Sequence, residues 1–263
     1  MALWLPQRRD VISFAGVFGL LGAVYLLPPD TALQQVRAAG TLRVCMPPSY
    51  PPLVTGNPSA PGIDVELLQA IAGDLGVQLV TVVNPMMGRD FNPRAWRITR
   101  AQCEVLAGGV VGSATTRSFL ETTPSYETTG WAWLAPHDNA TLQGRRVGVL
   151  VGVSGLDRVA LAAYLRAAKA QVTITRDRDE LVRGLQDGRF DIAVTERLSA
   201  ITIAEPLGWP VGWLPDSLPR YPIVFGLWKG DLTLKRASVA AMERLRRDGR
   251  MIEINARYRT TPR

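Results

Sequence analysis

Apolar and polar positions along this chain follow two rhythms, and the same order of elements is met twice. Leu42, Val44 and Cys45 make a short apolar strand. A proline-rich turn, Pro47-Pro48-Ser49-Tyr50-Pro51-Pro52, follows it, and residues 64–75 then carry Val65, Leu68, Ile71, Ala72 and Leu75 at helical spacing. Gly76 stops that helix, and a second strand, Gln78–Val83, begins at once. The pattern predicts a βαβ unit whose first strand ends in a long loop holding an aromatic. Loops at the carboxyl ends of parallel strands are where open α/β sheets hold small molecules.

The segment after Val83 is rich in Pro, Gly and Arg and reads as a loop with a short helix over 93–100. Residues 103–108 form a buried strand, followed by a small-residue loop, GGVVGSATTR, then irregular chain over 119–126 and a tryptophan-bearing strand over 130–134. Around Pro136-His137-Asp138-Asn139 a second series begins: a strand at 146–150, a turn at 152–155, a helix at 156–168 and a strand at 171–175. A helix at 178–187 with Leu181, Val182 and Leu185 on its apolar stripe leads to a strand at 190–194. A helix near 199–204, a strand at 223–228, the amphipathic Leu232–Arg247 and a shorter helix to Tyr258 complete the chain. Two βα series joined by crossing strands near 130–134 and 223–226 imply two lobes, a cleft between them and a hinge in the crossovers.

Composition narrows the functional classes. A net charge of +7 favours anionic partners, but the basic residues are scattered apart from a patch at 244–250. The stripe of cations and aromatics that nucleic-acid binding needs is absent from the sequence. The apolar run 11–27 follows Arg8-Arg9 and is stopped by Pro28-Pro29, the layout of an export signal or an uncleaved membrane anchor (residues 1–31). Paired arginines ahead of an apolar run also loosely resemble a twin-arginine export signal. Either reading places the bulk of the protein in the periplasm. Two cysteines, Cys45 and Cys103, fit an exported protein with one disulfide, or two buried thiols. A single histidine, His137, leaves no material for Ser-His-Asp chemistry or a histidine metal site, so neither catalytic nor metal residues are assigned and no cofactor is expected.

Several stretches, LRVCMPPSYPPL, GIDVELLQAIAGDLGV, LQGRRVGVLVGVSG and GRFDIAVTE, together with Arg117 after the glycine-rich strand end, resemble the family 3 extracellular solute-binding proteins. These are the polar amino-acid receptors of ABC importers, and the resemblance spans roughly residues 39–259. It implies a two-lobe α/β periplasmic-binding-protein fold (type II-like), with lobe 1 from 38–131 plus 225–263 and lobe 2 from 135–222. It also implies a monomer that binds a small ligand, an amino acid or similar, and delivers it to an ABC permease, with no role for nucleic acid.

Residue by residue, the resemblance carries the ligand α-carboxylate to Arg117, with Gly109 supplying backbone and Ser113 and Thr115 supplying hydroxyls. Arginine suits that task because its planar fork meets a carboxylate with two hydrogen bonds. Tyr50 matches an aromatic wall, Ser154 a carboxylate-contacting turn with Gly152 and Val153, and Glu196 the acid that holds the ligand ammonium. Trp96 is a candidate opposing wall or a packing residue, and Glu104 a structural acid. Three positions depart from the family pattern: Arg117 falls one residue late, Leu53 replaces a phenylalanine, and Glu196 replaces an aspartate. The Arg43-Val44-Cys45 strand and Cys103 also resemble periplasmic accessories of quinoprotein dehydrogenases. Prephenate- or arogenate-type dehydratases share the fold as well, and there Glu196 would be the acid.

Overall fold

The computed structural model describes residues 29–87, 92–138, 141–151 and 156–258. The export or anchor segment therefore lies outside the described residues, as does Ser154 with Gly152 and Val153. Among the described residues no helix is long and apolar enough to cross a membrane.

A short helix α1 (Ala32–Ala39) precedes strand β1 (Thr41–Met46), helix α2 (Ile63–Leu75) and strand β2 (Gln78–Val83). Helix α2 forms because Ile63, Leu67, Leu68, Ile71 and Leu75 recur on one side, all fully buried or nearly so. It ends at Gly76, whose left-handed backbone (φ 76) lets its N–H reach the carbonyls of Ala72 and Gly73. Strand β3 (Val105–Leu106) is shorter than the expected 103–108, because only these two residues pair with β1 in parallel register. Strand β4 is Leu120–Thr122, β5 Glu127–Thr129 and β6 Trp131–Leu134. The second series comprises β7 (Arg146–Val149), helix α4 (Arg158–Ala167), β8 (Gln171–Ile174) and helix α5 (Arg178–Gln186). Between Ala114 and Phe119 the chain is also helical, so in chain order that helix is α3.

Strand β9 (Ile192–Glu196) leads directly into α6 (Arg197–Ala204), and β10 (Val211–Trp213), β11 (Tyr221–Ile223), β12 (Gly226–Trp228), α7 (Leu232–Arg247) and α8 (Arg250–Arg257) follow. The strands form two five-stranded sheets, ordered β2-β1-β3-β12-β4 and β10-β6-β9-β7-β8. Each has four strands running one way and one reversed: β12 runs antiparallel to its neighbours β3 and β4, and β6 antiparallel to its neighbours β9 and β10. The mixed α/β architecture is thus a two-lobe binding-protein fold.

Each sheet owns its core. Leu42 and Val44 of β1 pack with Leu68 and Ile71 of α2 and with Leu234 and Met242 of α7. In the second sheet, Val147, Val149, Ile192 and Val194 meet Leu161 and Leu165 of α4 on one side. On the other side Leu181, Leu185 and Phe190 meet Ile203 of α6.

The two segments that pass between the sheets pair with each other. Strands β5 and β11 form their own antiparallel ribbon, Glu127 opposite Ile223 and Thr129 opposite Tyr221. The crossing ribbon therefore lies a few residues before the expected 130–134 and 223–226, most of whose residues belong to β6, in the second sheet, and to the stretch leading into β12 of the first. Apolar strength misled the expectation: Trp131 to Leu134 is the stronger apolar run, whereas Glu127-Thr128-Thr129 is polar and short.

Cys45 and Cys103 are joined by a disulfide with their Cα atoms 5.7 Å apart. Cys103 stands just after a turn at Ala101 and Gln102 and outside β3, so the parallel register does not fix its distance from Cys45. The bridge is buried beside Met87, Trp96, Ile98 and Leu120, which makes Trp96 a packing residue of the first lobe. Glu104 holds Arg43, accepting from its backbone N–H at 2.8 Å and its Nε at 2.9 Å.

Candidate functional site

The loop after β1 folds back on itself. The Tyr50 N–H donates to the Val54 carbonyl, and the N–H groups of Leu53 and Val54 both donate to the Tyr50 carbonyl. Leu53 is fully buried in the first core rather than in a ligand wall, so its departure from the phenylalanine pattern alters packing. Tyr50 is left half-buried, its ring lying against Gly109. A Cβ on Gly109 would stand 2.4 Å from the Tyr50 ring, and one on Gly108 2.2 Å from Pro47 Cδ. Both glycines also have left-handed backbone (φ 82 and 86), so the approach of these two loops requires glycine at each position.

Asp64, at the start of α2, fixes the same glycine loop from beneath. Its carboxylate is fully buried and accepts from the Gly108 N–H at 2.6 Å and the Tyr126 hydroxyl at 2.6 Å. Tyr126 in turn stacks on Phe225, centroids 4.5 Å apart. Burial raises the Asp64 carboxyl to about 6, and the hydrogen bonds from Tyr126, Gly108 and Gly109 oppose that rise only in part. This group was not anticipated. An aspartate in a helix's first turn ordinarily reads as a solvated dipole partner.

The sign of the linkage follows from the raised value. The folded carboxyl titrates above its ordinary 3.8, so its neutral form contributes stability below about pH 4 that is lost as pH rises through about 6. Relative to wild type, Asp64→Asn should gain up to about 3 kcal/mol in stability between about pH 4 and pH 6.5, measured by urea unfolding at each pH. A relative stability that is flat with pH would show that Asp64 titrates normally.

Beyond Gly109 the chain runs beside the crossing ribbon, the Gly112 N–H donating to the Pro222 carbonyl at 2.8 Å and Val111 bridging to Ile223. Helix α3 then begins. Ser113 caps it, accepting from the Thr116 N–H at 3.1 Å, while Thr116 itself is buried. Thr115 is exposed, and so is Arg117, whose guanidinium lies over the Gly112 backbone and forms no ion pair among the described residues. The expected loop is thus a helical turn, which accounts for how an arginine one residue late still follows the glycine loop closely.

From the second sheet, Glu196 ends β9 and caps α6. Its carboxylate, 2 % exposed, accepts from the N–H groups of Leu198 at 2.9 Å and Ser199 at 2.8 Å and from the Thr129 hydroxyl of the crossing ribbon. The Tyr50 phenol of the first lobe lies within electrostatic reach of this carboxylate, and burial together with the Glu196 charge pushes it well above its ordinary value. Tyr50 thus lies against Gly109 and near Glu196 of the other sheet, and farther along the chain Ser113 and Arg117 stand one helical turn apart in α3.

Two hollows lie elsewhere. One of about 550 Å³, between α2, α7 and α8, is lined by Glu66, Asp74, Arg244 and Arg257, whose mutual ion pairs tie those helices together. The other, about 660 Å³, lies beneath the second sheet near His137, Phe190 and Trp209. Neither touches Tyr50 or Glu196. Among the described residues no group of three or more metal-ligating side chains is gathered.

The family model for bacterial extracellular solute-binding proteins, family 3, matches residues 42–261. The chain belongs to that family. Several solved structures share its fold at low identity. An ancestral cationic amino-acid solute-binding protein has TM-score 0.69 and 21 % identity, over 86 % of this chain and 98 % of that one. The second substrate-binding domain of a putative amino-acid ABC transporter from Streptococcus pneumoniae has TM-score 0.68 and 18 % identity, over 82 % and 99 %. A Streptococcus pneumoniae ABC uptake transporter substrate-binding protein with bound histidine has TM-score 0.63 and 17 % identity, over 87 % and 96 %. No curated protein sequence matches the chain.

Proposed function

We propose that this solute-binding protein captures an amino acid in the cleft between its two sheets, in the periplasm, and presents it as a monomer to an ABC permease. The observation that carries the reading is the meeting of Tyr50 and Glu196 across the two lobes. The family membership supports solute capture, and neighbours described as amino-acid-binding proteins support the ligand class.

In this reading Arg117, free of other carboxylates among the described residues, takes the ligand α-carboxylate, helped by Ser113, Thr115 and the Gly109 backbone. Glu196 takes the ammonium. Its hydrogen-bond donors are two backbone groups of α6 and the Thr129 hydroxyl of the ribbon, and the ammonium joins them from the side of Tyr50. Ser154 completes the second-lobe side, and the β5–β11 ribbon is the hinge about which the lobes, 38–131 plus 225–263 and 135–222, close. The 17-residue span before Pro28-Pro29 directs export, cleaved or retained as an anchor.

Calorimetry of the purified protein against the twenty amino acids tests the reading. At least one should bind with micromolar or tighter affinity, and Arg117→Ala should weaken it by about 100-fold, since a charge-assisted bidentate contact is lost. Absence of binding to every amino acid sinks the reading and turns attention to the dehydrogenase-accessory alternative.

A further inference from the structure

The residue after Glu196 is a partly covered cation that forms no ion pair among the described residues. Arg197 is 9 % exposed, and among the described residues it forms no ion pair. Its guanidinium lies instead over the Trp213 ring, 4.6 Å from the centroid. The nearest acids leave it uncompensated at contact range. Glu196 spends its oxygens on Thr129, Leu198 and Ser199. Glu127 accepts from its own neighbour, the Thr128 N–H at 2.8 Å, and acts on Arg197 only through space.

Arg220 lies against the same Trp213 ring at 4.5 Å, but it is paired with Asp216 and faces solvent. Its charge adds to the positive field around Arg197 instead of relieving it.

Position gives this cation a role. Glu127 and Thr129 share one face of β5, because side chains two apart on a strand point the same way. Thr129 on that face donates to Glu196, and Glu196 in turn meets Tyr50. Arg197 therefore sits beside the acid assigned to the ligand ammonium, on the wall toward the ribbon. A half-shielded guanidinium that contacts no anion among the described residues is open to a ligand anion, which it can meet with two hydrogen bonds. Trp213 holds the guanidinium plane in place, leaving its edge donors for a carboxylate.

We propose that Arg197 selects an amino acid whose side chain bears a carboxylate, an aspartate- or glutamate-like ligand. The inference rests on the amino-acid reading above and deepens it: Arg117 takes the α-carboxylate, Glu196 the ammonium, and Arg197 the second carboxylate. Cationic side chains are disfavoured at this wall by direct repulsion.

Calorimetry with L-glutamate, L-aspartate, L-glutamine and L-arginine on wild type, Arg197→Ala and Arg197→Lys tests it, with thermal melting of each variant run alongside. Wild type should bind glutamate or aspartate most tightly. Arg197→Ala should weaken that ligand by about 100-fold, as expected for loss of a buried charge partner, and glutamine by less than about threefold. Arg197→Lys keeps the charge without the fork and should recover roughly tenfold of the loss, which covers the case in which the alanine variant folds poorly. Tightest binding of arginine by wild type, or equal weakening of glutamate and glutamine in the variants, overturns the role of Arg197 while leaving amino-acid capture intact. Failure to bind any of the twenty amino acids overturns both.

Discussion

Glu196→Ala should cost about 3 kcal/mol or more of stability and should also abolish ligand capture, the largest effect expected of any single side chain here. The carboxylate is almost wholly buried and satisfies three donors at once: the N–H groups of Leu198 and Ser199 and the hydroxyl of Thr129. Alanine leaves all three without a partner in a place water reaches poorly, and each orphaned donor costs of the order of 1 kcal/mol or more. Because Thr129 belongs to the crossing ribbon, the loss also loosens β9 and α6 from the segment that links the lobes. Glu196→Asp separates the two roles. A shorter acid still caps α6 well, but it withdraws from Tyr50 by about one methylene, so stability should fall by about 1 kcal/mol or less while binding falls further. Urea unfolding and calorimetry on both variants check this. A Glu196→Ala protein with wild-type stability would mean that the cap and the ribbon contact contribute nothing.

Reduction of the Cys45–Cys103 bridge should lower stability by about 4 kcal/mol, since closing a loop of that size restricts the unfolded chain substantially. The bridge joins the end of β1 to the chain entering β3, so it spans the whole first βαβ unit with a sequence separation of 58. Both cysteines are exposed to 1 % or less, which protects the bond in the folded state. Denaturant unfolding of wild type with and without reductant isolates the effect without creating a core cavity, as a cysteine substitution would. The reduced protein should unfold at a clearly lower midpoint. A change below about 1 kcal/mol would show that the unfolded chain is restricted by other means. The first lobe, including the Tyr50 loop, should lose protection from hydrogen exchange before the second.

The long apolar elements were legible because their periodicity is strong. Helix α2 with its Gly76 stop, β1, β2 and the α7 amphipathic helix follow from spacing alone, and so does the repeated βα order that gives two lobes. Helix α3 was hidden, since Ala114-Thr115-Thr116-Arg117 has two β-branched threonines and no apolar stripe. Only the Ser113 cap signals it, and tertiary burial of Thr116 makes it fold. Strands β5, β10 and β11 have three residues each, too short for any alternation to stand out.

Tyr50 and Glu196 were expected from their places in the loop after β1 and at the end of β9, and the structure sets them near each other. Asp64, Thr129 and Arg197 were not, because each depends on what another part of the chain places opposite it. Asp64 needs the Gly108–Gly109 loop, Thr129 needs β9, and Arg197 is notable only once its lack of an acid partner is seen. Burial of charge is a property of the fold, and residue spacing carries little of it.

A crystal structure of the protein with its amino acid bound tests the two-lobe account most directly. The ligand should lie between Tyr50 and Gly109 on one side and Glu196 on the other, its α-carboxylate on Arg117 and its ammonium on Glu196. A ligand in the hollow lined by Glu66, Asp74, Arg244 and Arg257, or one touching residues of a single sheet, would contradict it.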